Sequence, residues 1–239
     1  IQAKADRDAA QLGLVVESFI PGREYALEGL LVEGRLRVLA LFDKPDPLDG
    51  PYFEETLYIT PSRLPQDKQE EIGQTVQRAC ALAGLASGPI HAEMRVNQQG
   101  VWLLEIAARS IGGLCGRMLR YALGMSLEEL ILRHALNLSL PQTQLADASG
   151  VMMIPIPRRG IFQGVRNLEE ALRVADIGDI QITAQPGQII APPPEGASYL
   201  GFIFARGKSA DAVESALRQA RQRLVFDIQA GIPVSVYNT

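Results

Sequence analysis

Cysteine and histidine are scarce in this 239-residue chain, with two of each. Cys80 and Cys115 cannot build a disulfide scaffold, and neither stands in a Cys-x-x-Cys or Cys/His spacing that would hold zinc. They are expected as small packed thiols of a protein kept in a reducing, cytoplasmic setting. No apolar run reaches membrane-spanning length, and no basic-then-apolar leader opens the chain, so no membrane partner is expected. Positive charge is not in excess: 23 Lys and Arg stand against 27 Asp and Glu, a formal charge of −4. That balance argues against nucleic acid and against anionic lipid. The chain also lacks a G-x-x-x-x-G-K-[ST] loop and a Ser/His/Asp set around a nucleophile elbow, which removes two common ways of handling phosphate esters and acyl groups.

What is present is a chain that is 47% hydrophobic, with patterns of both periods. A polar, alanine-rich stretch at 3–11 predicts a helix and leads into a β-branched run at 14–20 that ends at Pro21 and Gly22. Residues 24–32 and 36–42, joined by Glu33 and Gly34, predict a hairpin. A Pro/Asp/Gly-rich loop spans 44–51, and an extended pattern resumes at 52–60. Ile72, Val76, Ala79, Cys80 and Ala83 lie at helical spacing within 66–86. Residues 114–123 and 126–138 predict two helices split by Gly124, the second capped by Ser126 with Glu129 at the capping-box position. Periodicity is lost over 141–150, which places a domain boundary near 145. Beyond it the pattern predicts strands at 151–156, 179–184, 198–205 and 233–237, with helices at 168–174 and 210–224, a small α+β unit.

The stretch GPIHAEMRVNQQGVWLLEIAARSIGG, residues 88–113, carries the chemistry. At period two, Ile90, Ala92, Met94 and Val96 share one side of a strand, and His91, Glu93, Arg95 and Asn97 share the other. The turn at 97–100 predicts an antiparallel return that brings Glu105 beside Glu93. Two adjacent carboxylates repel unless a cation lies between them, and a divalent ion with oxygen ligands answers that need. Arg109 adds a fork of donors suited to phosphate or carboxylate. A solvated hairpin with charges on its polar face is the plainer alternative. His91 is a base or a group that merely bonds its neighbours, and His134 is expected to be structural. Glu17 and Glu24 flank an extended edge, residues 17–20, of a kind that can read an adenine rim by main-chain bonds while Glu24 accepts from ribose hydroxyls.

Together, VVESFIPGREY at 15–25, a following helix, HAEMR at 91–95 and LLEIAARS at 103–110 resemble the C-terminal half of the ATP-grasp superfamily. Within it the chain is most similar to carboxylate–amine ligases of the L-amino-acid ligase type. The tail, with VMMIP at 151–155, RRG at 158–160 and YLGFIFAR at 199–206, resembles the small domain those ligases append. The resemblance implies an α+β fold: a C-terminal ATP-grasp subdomain over 1–145, an antiparallel sheet with helices, then a small α+β domain over 146–239.

By the same resemblance, the edge formed by Glu17, Ser18, Phe19 and Ile20 would meet adenine, and Glu24 would bind ribose. Glu93 and Glu105 would hold magnesium, with manganese as the alternative ion, against the phosphates of ATP. Arg109 would orient the γ-phosphate or an acyl-phosphate. Where many superfamily members have a third metal ligand, this chain has Ala107. Glu54, Glu55 and His91 are the candidates for contacting small-molecule substrates, an amino-acid carboxylate and amine. The superfamily's lysine-bearing strands and glycine loop precede the adenine edge, so the resemblance implies a C-terminal portion of a ligase, inactive alone, whose N-terminal half lies elsewhere, with room left for a homodimer. A non-catalytic nucleotide-binding module and, less favoured, a metal-dependent phosphohydrolase remain as readings of the same carboxylates.

Overall fold

A computed structural model describes residues 16–48, 52–140, 147–196 and 198–230. Its centre is an eight-stranded sheet in the order β5-β4-β1-β2-β3-β6-β10-β8. The strands are β1 (Arg23–Val32), β2 (Arg35–Asp43), β3 (Leu57–Thr60), β4 (Gly88–Asn97), β5 (Gly100–Ala107), β6 (Ala148–Ile154), β8 (Ile177–Ile182) and β10 (Gly201–Gly207). All of the recorded neighbour pairs are antiparallel. The sheet runs without a break past the expected boundary near 145, because β3 pairs with β6 from Leu57↔Met152 to Thr60↔Ser149. A second sheet of three strands joins β7 (Gly160–Arg166) to β11 (Val225–Gln229) and to β9 (Ile189–Ile190).

Strand alternation decides which face each helix covers. On one face Tyr25 and Leu27 of β1, Leu41 of β2, and Ile90, Ala92 and Met94 of β4 pack with Ile72, Val76 and Cys80 of helix α1 (Gln66–Leu82). Farther along the sheet, Leu57, Ile59, Met152, Ile154 and Ile203 pack with Val213, Ala216, Leu217 and Ala220 of α5 (Ala210–Arg223). On the opposite face, Ala26, Phe42, Tyr58, Val151, Met153 and Phe204 meet a short 3-10 turn (Cys115–Met118), α2 (Leu119–Leu123) and α3 (Leu127–Ala135). A last short helix, α4 (Leu168–Leu172), adds Ala171 to the core beneath α5.

Several expectations shift at their edges. Residues 16–20 carry no ladder, and side chains of β4 hold them instead: Arg95 Nη1 donates to the Ile20 carbonyl at 2.9 Å, and Asn97 Nδ2 to that of Pro21 at 2.7 Å. Next to them Gly22, at φ +133°, lies so close to β4 that a Cβ would meet the Val96 carbonyl oxygen at 2.5 Å. The strand expected over 52–60 is confined to Leu57–Thr60, since Phe53 adopts φ 48°, outside the β region. The helix expected over 114–123 begins as the 3-10 turn, and Ser126 caps α3 by accepting from the Glu129 amide at 3.1 Å. Strands β7, β9 and β11 were not expected. The expected helix at 3–11 and strand at 233–237 lie outside the described residues.

Gly150 marks where α5 presses on the sheet: a Cβ there would stand 2.7 Å from Val213 Cγ1 and 3.0 Å from the Tyr58 carbonyl oxygen. Gly150→Val is expected to destabilise the protein by about 1–3 kcal/mol through overpacking, read as a lower urea midpoint at unchanged slope. An unchanged midpoint would show that α5 does not pack this closely.

Candidate functional site

The same alternation that buries Tyr25, Leu27 and Met94 turns Glu24 and Glu28 of β1 to the other face, with His91, Glu93 and Arg95 of β4. Register sets Glu24 opposite Arg95, Ala26 opposite Glu93 and Glu28 opposite His91. One strand farther out, Glu93 is opposite Glu105, and a bulge follows immediately between Glu93 and Met94. Small Ala26 beside Glu93 leaves room on this face for groups arriving from other elements.

The group that arrives is Lys44, at the end of β2. Its Nζ lies 2.9 Å from Glu24 Oε1, 2.5 Å from Glu55 Oε1 and 2.9 Å from Glu93 Oε1, with its side chain only 3% exposed. The Tyr58 ring lies against the ammonium, 4.9 Å away at the centroid, and the Tyr58 hydroxyl donates its one proton to Glu55 at 2.6 Å, with Glu93 at 3.3 Å beside it. Burial alone would lower the Lys44 pKa, but Glu55, Glu93 and Glu24 outweigh it and push it above its ordinary value. Burial would likewise raise Glu93, yet the bonds from His91 and Lys44 hold it down to about 2. These three carboxylates are the acidic set whose ligand atoms lie within 4.8 Å of one another among the described residues.

Arg95 closes the side toward residues 17–20. Its Nε donates to Glu24 Oε2 at 3.1 Å and its Nη2 to the Leu48 carbonyl at 2.7 Å, while its guanidinium lies over Phe19 at 4.6 Å and Phe53 at 5.7 Å. The two rings stack at 6.4 Å. On the other side, His91 Nδ1 faces Glu28 Oε2 at 3.0 Å and Nε2 faces Glu93 Oε1 at 3.4 Å. Burial would depress the imidazole, but bonds to both carboxylates raise it to about 9, so the charged form donates in both directions.

Two cavities meet at Glu93. One, of about 440 Å³, is lined by Glu17, Ser18, Phe19, Ile20, Glu24, Phe53, Glu93, Arg95, Leu103 and Leu104. The other, of about 740 Å³, includes Glu55, Tyr58, His91, Glu93, Arg109 and the 111–115 turn, with Thr183, Ser198, Tyr199 and Phe202 from the second half of the chain. Glu54 and Glu55 also border a third hollow with Pro193, Pro194 and Tyr199.

The ATP-grasp domain family matches residues 3–118, and the L-amino acid ligase C-terminal domain 2 family matches residues 152–229. The chain belongs to the ATP-grasp superfamily. Its fold is similar to that of an L-amino acid ligase from Bacillus licheniformis, with a TM-score of 0.80 and 28% identity over 88% of this chain and 53% of that one. A phosphoribosylglycinamide synthetase from Anaerococcus prevotii matches at a TM-score of 0.71 over 88% of this chain and 55% of that one, at 15% identity, which shows shared fold alone. In sequence, carnosine synthase 1 of Gallus gallus is 33% identical over 117 residues, and that of Homo sapiens 29%. Those matches cover 47% of this chain, which spans only 12% and 14% of the two relatives' lengths.

In this ATP-grasp chain the expected nucleotide residues, Glu17, Ser18, Phe19, Ile20 and Glu24, line one cavity together. Of the expected metal pair, Glu93 is half-buried and shared by both cavities. Glu105 is exposed beside Arg109, which reaches it at 3.8 Å and borders the larger cavity. Glu55 is engaged by Lys44 and Tyr58, and burial pushes up the Glu54 carboxyl. His134 bonds the Ser87 hydroxyl at 3.0 Å. Cys80 and Cys115 are both buried, the second thiol pushed up to about 12 by burial and by Glu55.

Sequence reasoning missed Lys44, Tyr58 and Glu28, and it placed Arg95 beside Glu93 on the polar face without giving it a role. A charged residue at the end of the apolar run 38–42 was the available signal for Lys44, and the strand parity of Glu28 with Glu24 the signal for that carboxylate. Lys44→Met is expected to cost about 3–5 kcal/mol in urea denaturation, because it removes the cation that Glu24, Glu55 and Glu93 share and leaves Glu55 without its ion-pair partner. A loss below about 1 kcal/mol would mean that the ammonium is not the centre of the cluster.

Proposed function

We propose that the whole protein is an ATP-dependent carboxylate–amine ligase of the L-amino-acid ligase type. The observation that carries this reading is the position of Glu93, common to a cavity lined by the adenine-edge residues and to a larger cavity lined by Arg109, His91 and Glu55. A phosphoryl group passing from a nucleotide in the first to a carboxylate in the second would cross at Glu93. The kinship supports it: the family matches and the L-amino acid ligase structure concern both halves of the chain.

In this reading the γ-phosphoryl group moves to a carboxylate oxygen and ADP leaves. An amine then attacks the acyl carbon, loses a proton, and displaces inorganic phosphate. Glu93 and Glu105 would hold magnesium, or manganese in its place. Their paired register and hard oxygen donors suit such an ion, and the contacts from Lys44, Tyr58 and His91 all fall on Glu93 Oε1. Bound there, the ion would supply charge neutralisation at the phosphates.

The chain's own groups do the positioning. Residues 17–20 and Glu24 receive the nucleoside. The Glu24 oxygens already accept from Lys44 and Arg95, and each retains a lone pair for a ribose hydroxyl. Arg109, at the mouth of the larger cavity, holds the acyl-phosphate oxygens by its guanidinium fork. Glu55 is committed to Lys44, so Glu54 takes the ammonium of an incoming amino acid, and charge pairing there would relieve the burial that raises its carboxyl. His91 holds Glu93 in place.

Phosphate release by the whole protein is expected to need ATP, magnesium and amino acids together, and Glu93→Gln should slow it about 100-fold or more. Release that is indifferent to amino acids would instead indicate a hydrolase. Tight nucleotide binding with no release under any amino-acid mixture would indicate a binding module.

A further inference from the structure

Glu28 is fully buried (0% exposed) in the middle of β1, and no step above uses it. A carboxylate in such a position is costly to bury, and burial raises its pKa even against the pull of His91 and Ile111. An apolar side chain, like its neighbours Ala26 and Leu30, would occupy the site without that cost. What Glu28 gains is two partners on different elements. Its Oε2 meets His91 Nδ1 at 3.0 Å, and Oε1 and Oε2 accept from the Ile111 amide at 3.2 and 3.1 Å.

Ile111 lies two residues beyond Arg109, in a segment without helix or strand that borders the 740 Å³ cavity. Gly112 and Gly113, the latter at φ +61°, follow it, so local preference does little to hold this turn. Arg109's own contacts are local: Nη1 donates to the Ser110 carbonyl at 3.0 Å, and Nη2 stands 3.8 Å from Glu105. The turn's hydrogen bond to the buried strand β1 is made by the Ile111 amide, and the Ile111 side chain packs against the core on the same face. His91, the other partner, reaches Glu93.

We infer that Glu28 is a positioning residue: from within the sheet it anchors the 109–113 turn through the Ile111 amide and orients His91 against Glu93, so that Arg109 and Glu93 face the larger cavity together. The kinetic part of this inference rests on the ligase reading. The structural part does not.

Amide exchange followed by NMR tests the anchor directly. In the wild-type chain the Ile111 amide should be protected although it belongs to no ladder; exchange at the rate of an open loop overturns the inference without any variant. Glu28→Leu should accelerate Ile111 exchange by roughly tenfold or more while the β1 and β4 ladder amides keep theirs, and Glu28→Gln, which retains an acceptor, should stay close to wild type. Ladder amides that open together with Ile111 would make Glu28 a support of the sheet, and the inference would fail. In the whole protein Glu28→Leu should lower kcat with the KM for ATP unchanged, and Glu28→Gln should recover most of the loss. An equal effect of both variants, or a rise in the KM for ATP alone, overturns the positioning role. A wild-type protein without amino-acid-dependent phosphate release sinks the ligase reading instead, and the exchange result then decides the anchor by itself.

Discussion

A single ammonium group, Lys44 Nζ, sits where the carboxylates of Glu24, Glu55 and Glu93 converge from three parts of the chain. Without a cation, three such groups within 4.8 Å would not all stay ionised. With it, β1, β4 and the segment before β3 are tied to one point. Arg95 and His91 extend the same alternation of charge outward, one toward residues 17–20 and the other into the sheet. The cluster is therefore a structural joint and the floor of both cavities at once.

Strand parity makes this arrangement affordable to fold. Each of β1 and β4 is buried on both faces, apolar toward α1 and ionic toward the cavities. A one-residue slip in either strand would push Leu27 and Met94 among the carboxylates and Glu93 into the α1 core, so the register is strongly determined. The bulge next to Glu93 re-aims β5 where it carries Glu105 toward Arg109.

The second half of the chain is part of the same sheet, and its helix α5 reaches back to the segment that bears Lys44 and Glu55. Arg218 Nη2 donates to Asp46 at 2.6 Å, Asp46 also accepts from the Thr56 hydroxyl, and Arg63 joins Asp43 to Asp211 and Glu214. Residues Thr183, Ser198, Tyr199 and Phe202 of that half complete the wall of the larger cavity. Splitting the chain near residue 145 would thus cut through β-pairing and through the cavity, even though the pattern of the sequence changes there.

Much of the architecture was legible in the sequence because it is written in short-range periodicity: the hairpins of β1 with β2 and of β4 with β5, the α1 stripe of Ile72, Val76 and Cys80, and the Ser126 cap all depend on residues close in sequence. The turn at 97–100 brings Glu105 near Glu93, but taken alone it would set Glu93 opposite Leu104; the bulge beside Glu93, which no local pattern announced, makes Glu105 its partner. Strands β7, β9 and β11 were not legible, since the glycine-bearing Gly160–Arg166 and the two-residue β9 have weak strand patterns and form only because distant partners pair with them. The same limit hid the centre of the site. Glu24, Glu55 and Glu93 were candidates one by one, but with Lys44 they are separated by up to 69 residues, and Lys44 reads as the first residue of a surface loop. Sequence determined which residues alternate onto the polar face; only the tertiary structure decided that a lysine would stand among them, because that position is set by the pairing of β1 with both β2 and β4.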